Sequence, residues 1–176
     1  MTAPTARDHI SRLLVSVPDF PEPGVLFRDL APVFADGPAF RAIVDDLAGR
    51  FAGRFDAVAG VEARGFVLAA ALAYASGTGV VVVRKGGKLP GVVLSESYAL
   101  EYGTATLELE PDRIPAGSRV LIVDDVLATG GTLAASIRLI ERAGYAVAGI
   151  GVVLELEALA GASKLDGHDM HALITL

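Results

Sequence analysis

Two hydrophobic periods alternate along the chain. Ile10, Leu13, Leu14 and Val17 recur at i, i+3, i+4 and i+7, as do Phe40, Ile43, Val44 and Leu47, so both stretches predict amphipathic helices. Their apolar faces need a sheet or another helix to cover them. Between and beyond them lie short Val- and Ile-rich runs, Ala57–Val61, Val80–Val83, Val120–Val123 and Ala146–Leu154. Runs that are apolar at nearly every position suit parallel strands buried on both faces. Thr104–Glu110 differs: Ala105, Leu107 and Leu109 alternate with Thr106, Glu108 and Glu110, which predicts a strand with one wet face, in a hairpin or at an edge. Helical stretches at about Phe66–Ala75 and Leu133–Ala143 separate the strands. The order is βαβ…βαβ, which predicts an α/β fold with a doubly wound, mainly parallel sheet flanked by helices. Ligands of such folds bind at the carboxyl ends of the strands.

Composition narrows this picture. A chain of 176 residues without repeats or low-complexity linkers predicts a single domain spanning residues 1–176. Hydrophobic residues make up 52% and mean hydropathy is +0.52. Yet the longest apolar run, Phe66–Ala75, falls short of the roughly 18 residues a membrane span needs. No export address is evident near Met1–Asp8, so the expectation is a soluble, cytoplasmic protein without a membrane partner. The absence of cysteine excludes disulfides, thiolate nucleophiles and cysteine-bound zinc. A net charge of −6 supplies no overall basic field for a nucleic-acid backbone, so no nucleic-acid partner is expected. A small phosphorylated ligand fits, because local basic clusters coexist with an acidic whole.

The densest chemistry lies in Ser118–Thr132. Four apolar residues form a buried strand, Asp124 and Asp125 stand at its carboxyl end, and Ala128-Thr129-Gly130-Gly131-Thr132 leads into a helix carrying Leu133, Ile137 and Ile140 on one face. Thr132 can serve as that helix's N-cap. Glycines let backbone N–H groups approach an anion, and a helix N-terminus adds unpaired donors and a positive dipole end, so a phosphate fits. The carboxylates accept hydrogen bonds only, which suits sugar hydroxyls or a divalent cation reached through water. Together the two halves describe a ribose 5-phosphate site. The chain contains neither GxxxxGK[ST] nor GxGxxG, which removes P-loop and dinucleotide readings.

Val120–Thr132 resembles the phosphoribosyl pyrophosphate signature of type I phosphoribosyltransferases. Phe20–Leu30, Gly60–Phe66, Arg84–Pro90 and Ser97–Gly103 are similar, in order and spacing, to segments of adenine phosphoribosyltransferases, and the likeness runs from about Arg7 to Leu165. The resemblance implies that adenine and phosphoribosyl pyrophosphate become AMP and pyrophosphate in purine salvage. It further implies a type I phosphoribosyltransferase fold with a small N-terminal hood at about 18–34 and a flexible flap at about 91–104. Ribose 5-phosphate then falls to Asp124, Asp125, Ala128, Thr129, Gly130, Gly131 and Thr132, and pyrophosphate to Arg64, Arg84, Lys85 and Lys88. Adenine falls to the hood, with Phe27 as a stacking face and the backbone at Leu26 and Arg28 reading the ring edge. Glu101 and Tyr102 are assigned to the reacting centre, Glu101 positioning the base or handling its imidazole proton and Tyr102 shielding the sugar. Mg²⁺ is expected mainly through substrate, with water-mediated links to Asp124 and Asp125. The family also implies a homodimer. Hypoxanthine, guanine or xanthine as the base, or a phosphoribosyl-pyrophosphate-sensing regulator on the same fold, are the competing readings.

Ala69-Ala70-Ala71 stand where Gly and Pro are often seen in the family, and two further positions depart from its pattern. Gly86 stands where Pro or Arg is common, and Leu26 where a β-branched residue is expected. His9, His168 and His171 form no persuasive cluster and are read as surface residues.

Overall fold

The computed structural model describes residues 3–99 and 103–176. Its elements are helices α1 (Ala6–Leu13), α2 (Ala31–Ala35), α3 (Gly37–Arg50), α4 (Gly65–Ser76) and α5 (Gly131–Arg142). The strands are β1 (Val15–Pro18), β2 (Leu26–Asp29), β3 (Ala57–Val61), β4 (Gly79–Lys85), β5 (Leu94–Ala99), β6 (Thr104–Leu109), β7 (Arg119–Leu127), β8 (Ala146–Glu155) and β9 (Met170–Thr175). Two 3₁₀ turns, Glu157–Leu159 and Gly161–Leu165, precede β9.

Seven strands form one sheet in the order β5-β6-β4-β3-β7-β8-β9, and β1-β2 stand apart as a two-stranded ribbon. Strands β4, β3, β7, β8 and β9 run parallel, while β6 pairs antiparallel with both β4 and β5. The expected doubly wound, mainly parallel sheet is therefore what the chain forms. Period-2 geometry sorts the strand residues between two cores. Val58, Leu121, Val123 and Val153 pack with α1–α4, whereas Ala57, Ala59, Val61, Val120 and Ile122 pack with α5.

From β3 the chain first adds β4 on one side and later β7 on the other. That reversal opens a crevice beyond the carboxyl ends of β3 and β7, the place where open α/β sheets bind ligands. The two segments richest in polar chemistry, Glu62–Arg64 and Asp124–Thr132, both emerge there.

Three local expectations change. The first helix stops at Leu13, capped at its start by a Thr5–Asp8 capping box, and Val17 belongs to β1 instead. With only eight residues the helix buries Ala6 and Ile10, and Pro18 ends the ribbon strand that follows. Thr132 is not the N-cap: α5 begins at Gly131 after Gly130, whose φ of 77° only glycine adopts readily, and the Thr132 hydroxyl bonds elsewhere. The 91–103 segment is not wholly a loop, because Leu94–Ala99 forms β5 against β6, the expected hairpin strand.

Candidate functional site

Strand β7 carries Asp124 and Asp125 to the mouth of the crevice in nearly buried positions, 9% and 7% exposed. The Asp125 N–H donates to Asp124 Oδ1 at 2.9 Å. Burial, and then the adjacent Asp125 charge, push the Asp124 carboxyl well above the usual aspartate range. Arg64 Nε, at the end of β3, lies 2.6 Å from Asp125 Oδ2 and so bridges the crevice as an ion pair. Its N–H is not aimed at that oxygen, however, and Asp125 Oδ2 has no hydrogen-bond partner among the described residues. A buried carboxylate oxygen with unspent lone pairs is the acceptor a sugar hydroxyl requires.

Beyond the carboxylates, Val126–Leu133 wrap a small cavity of about 60 Å³. That is several times the roughly 10–15 Å³ needed for one water. Ala128, Thr129, Gly130, Gly131 and Thr132 line it, and α5 directs its N-terminus toward it. The loop is backed by Gly161, where an added Cβ would run into the Ala128 carbonyl oxygen and lie 2.8 Å from Gly130 N. Tyr98 of β5 closes the other side. A Cβ on Gly131 would lie 3.1 Å from its ring, and the Thr132 hydroxyl donates to the Tyr98 hydroxyl at 3.2 Å. The same strand is tied to α5 by Glu96, which receives Arg138 at 2.5 Å and Arg142 at 2.8 Å.

The cations gather at the ends of β3 and β4. Glu62 Oε1 accepts from Lys88 Nζ at 2.5 Å, while Oε2 accepts from the Lys85 N–H at 3.0 Å and Arg84 Nε at 3.4 Å. These bonds hold the Glu62 carboxyl down at about 2, with the Lys88 bond the largest cause. Glu108 of β6 secures the Gly86–Gly87 turn by accepting the Gly87 N–H at 2.9 Å. A Cβ at Gly86 would meet only ordinary contacts with Thr106 and Glu108, whereas a proline there would lose the N–H that Gly86 donates to the Thr106 carbonyl oxygen at 2.9 Å. The structure thus unites the Arg84 and Lys88 side chains and the Lys85 backbone N–H around Glu62, and places Arg64 with Asp125.

Leu26, Phe27 and Arg28 lie on β2 of the separate ribbon. Phe27 is half-buried, its ring edge-on to Phe20 with centroids 5.1 Å apart, and is not a core residue. Arg28 donates to Ser16 Oγ within the same ribbon. A two-stranded ribbon leaves one backbone edge of each strand unpaired, so β2 retains groups able to read a ring. Glu101 and Tyr102 lie outside the described residues. Among the described residues no group of three or more His, Cys, Asp or Glu could hold a metal. Paired oxygen donors at Asp124 and Asp125 suit a hard cation that brings its other ligands with it.

Sequence reasoning missed four contributors. Glu62 and Tyr98 lay inside quoted segments without a role, and Glu96 and Gly161 were not singled out. The position of Glu62, two residues before Arg64 at a strand end, was a usable signal. Nothing local marks Gly161, which reaches the loop only through the return of the chain after β8. His171 is not simply a surface residue either, since its Nε2 lies 3.0 Å from Asp46 Oδ1 and links β9 to α3.

Residues 34–174 match the phosphoribosyl transferase domain. The chain is 67% identical over 171 residues to an adenine phosphoribosyltransferase of Clavibacter michiganensis, covering 97% of both. The chain belongs to the adenine phosphoribosyltransferase family. Another family member, from Renibacterium salmoninarum, is 66% identical over 169 residues, covering 96% of this chain and 93% of the relative. The crystal structure of the adenine phosphoribosyltransferase from Thermoanaerobacter pseudethanolicus superposes with a TM-score of 0.92 at 47% identity, covering 97% of this chain and 99% of that one. The Saccharomyces cerevisiae enzyme, crystallised with adenine and an imino-altritol bisphosphate, gives 0.90 at 38% identity, covering 96% and 98%. Within this family the two-part crevice, carboxylates beside a small-residue cradle and a cationic cluster opposite, belongs to a pentosyltransferase.

Proposed function

We propose that this chain transfers a 5-phosphoribosyl group from phosphoribosyl pyrophosphate to adenine, forming AMP and pyrophosphate in purine salvage. The observation that carries the reading is the carboxyl edge of the sheet, where a buried Asp125 oxygen that is ion-paired but makes no hydrogen bond and a small cradle follow β7, and a cluster of cations follows β3 and β4.

In this reading the C1′–N9 bond to adenine forms as the C1′–O bond to pyrophosphate breaks, and the base gives up its imidazole proton. The cradle at Ala128–Thr132 holds the 5-phosphate, and Asp124 and Asp125 take the ribose hydroxyls and stand near the positive charge that develops on the sugar. Arg64, Arg84, Lys85 and Lys88 hold the departing pyrophosphate. Phe27 stacks on adenine while backbone at Leu26 and Arg28 reads its edge. Glu101 positions the base or handles its proton, and Tyr102 shields the sugar. Asp124 and Asp125 would help hold a Mg²⁺ ion that arrives with the donor, and the ion would supply positive charge to the leaving group.

A homodimer is part of the same reading. Val67, Ala70 and Tyr74 form an exposed apolar stripe along α4, and Val80 and Val82 of β4 are exposed on that side of the sheet. Apolar surface of this kind marks association sites. No described helix is long and apolar enough to cross a membrane. A cytoplasmic location completes the reading, because a multiply charged donor does not cross a lipid bilayer unaided.

The test is AMP formation from adenine and phosphoribosyl pyrophosphate with Mg²⁺, run beside hypoxanthine, guanine and xanthine. Adenine is expected to be the strongly preferred base. A chain that uses another purine better, or forms no nucleotide, overturns the proposal.

A further inference from the structure

Glu62 is the least exposed member of the cationic cluster. Its side chain is 10% exposed, against 34% for Arg84 and 46% for Lys88. The carboxylate lies beneath the cations, while their outer donors face solvent. Lys88 spends one of three N–H donors on Glu62, and Arg84 spends Nε on it and one further N–H on the Lys88 carbonyl oxygen at 3.3 Å. Enough donors remain on the outward side for an anion.

We infer that Glu62 is a positioning residue for the pyrophosphate subsite, a fixed counter-charge that gathers the Arg84 and Lys88 cations, together with the Lys85 backbone, into one anion-binding face. This deepens the proposed function and rests on it. Without a carboxylate beneath them, two side-chain cations converging from the end of β4 repel each other and the long side chains disperse into solvent. Oε2 also fixes the Lys85 N–H, so one side chain registers the backbone of the loop together with the charges on it. The carboxyl titrates near 2, so this clamp is present throughout the neutral range.

The inference has a sign that simple charge counting reverses. Removing a negative charge beside an anion site strengthens anion binding if charge alone matters, whereas loss of a positioning residue weakens it. In Glu62→Gln the Kd for magnesium pyrophosphate, read by calorimetry, and the KM for phosphoribosyl pyrophosphate are expected to rise roughly tenfold or more. The KM for adenine and the Kd for AMP, which do not use this subsite, stay within about twofold. Glu62→Asp retains the charge and withdraws it by one methylene, and it is expected to weaken pyrophosphate binding as well. Tighter or unchanged pyrophosphate binding in a folded Glu62→Gln protein overturns the inference, as does wild-type binding by Glu62→Asp. Lys88→Gln separates this result from the reading beneath it. If Lys88→Gln weakens pyrophosphate binding and Glu62→Gln does not, only the role of Glu62 falls. If wild type binds no pyrophosphate, or Lys88→Gln leaves binding unchanged, the subsite itself is refuted.

Discussion

Asp124 carries a conflict between folding and binding. Its carboxyl is nearly buried beside a second carboxylate, and its pKa is raised above the ordinary value of 3.8, first by burial and then by Asp125. A raised acid favours folding in its neutral form. That contribution is complete below pH 3.8 and is lost as pH climbs through the raised value, so the Asp124 carboxyl stabilises the fold less at neutral pH than in acid. Asp124→Asn retains the oxygen that accepts the Asp125 N–H and discards the charge. Its Tm at pH 7 is expected to exceed wild type by at least about 2 °C, a shift of the size that about 1 kcal/mol produces in a chain of this length. The gain should shrink toward pH 4, as the wild-type carboxyl becomes protonated, while phosphoribosyl pyrophosphate binding weakens at every pH. Thermal melts of both proteins from pH 4 to 8 check the sign, and an Asn variant that melts lower at pH 7 would refute it. The site residues were legible here because Asp124, Asp125 and the small-residue loop are contiguous. Glu62 was not, because its role depends on Arg84, Lys85 and Lys88 arriving from a neighbouring strand.

Among the elements, the interior strands were the plainest to read. β3 matches the Ala57–Val61 run because both of its faces are covered and every residue is buried. The first helix was overextended because Val17 fits a helical period and a ribbon strand alike, and periodicity over so few residues does not separate them. The 3₁₀ turn at Gly161–Leu165 was invisible, since its importance lies in what it touches. Gly161 packs against the Ala128–Gly130 loop mainly backbone to backbone, with the Leu127 side chain beside it, so an added methyl meets atoms that have little room to yield. Gly161→Ala is therefore expected to displace Ala128–Gly130, to raise the KM for phosphoribosyl pyrophosphate, and to lower stability by about 1–3 kcal/mol, the usual range for overpacking. Steady-state kinetics and urea melts measure both, and an Ala variant with wild-type KM would show that the loop accommodates the methyl elsewhere.

The whole molecule joins the crevice of the main sheet to a separate two-stranded ribbon and an apolar outer face. The doubly wound sheet was legible from alternating periods, whereas the strand order, and hence the position of the crevice, required the three-dimensional pairing. The outer face of α4 was legible only as an excess of apolar residues: Tyr74, 91% exposed, looks like core in the sequence. On the dimer reading, Tyr74→Glu places a charge in the contact and is expected to shift sedimentation from dimer toward monomer at micromolar concentration. A wild-type protein that sediments as a monomer would dismiss that contact.

The β1–β2 ribbon is closed at its base, because Val15 pairs with Asp29. Chain therefore enters and leaves through neighbouring points, and a segment with adjoining ends can be exchanged without stretching its surroundings. If the ribbon reads the base as proposed, base preference is portable in this architecture: a transplanted 15–29 hairpin would change which nucleobase is welcomed while the rest of the crevice stays as it is.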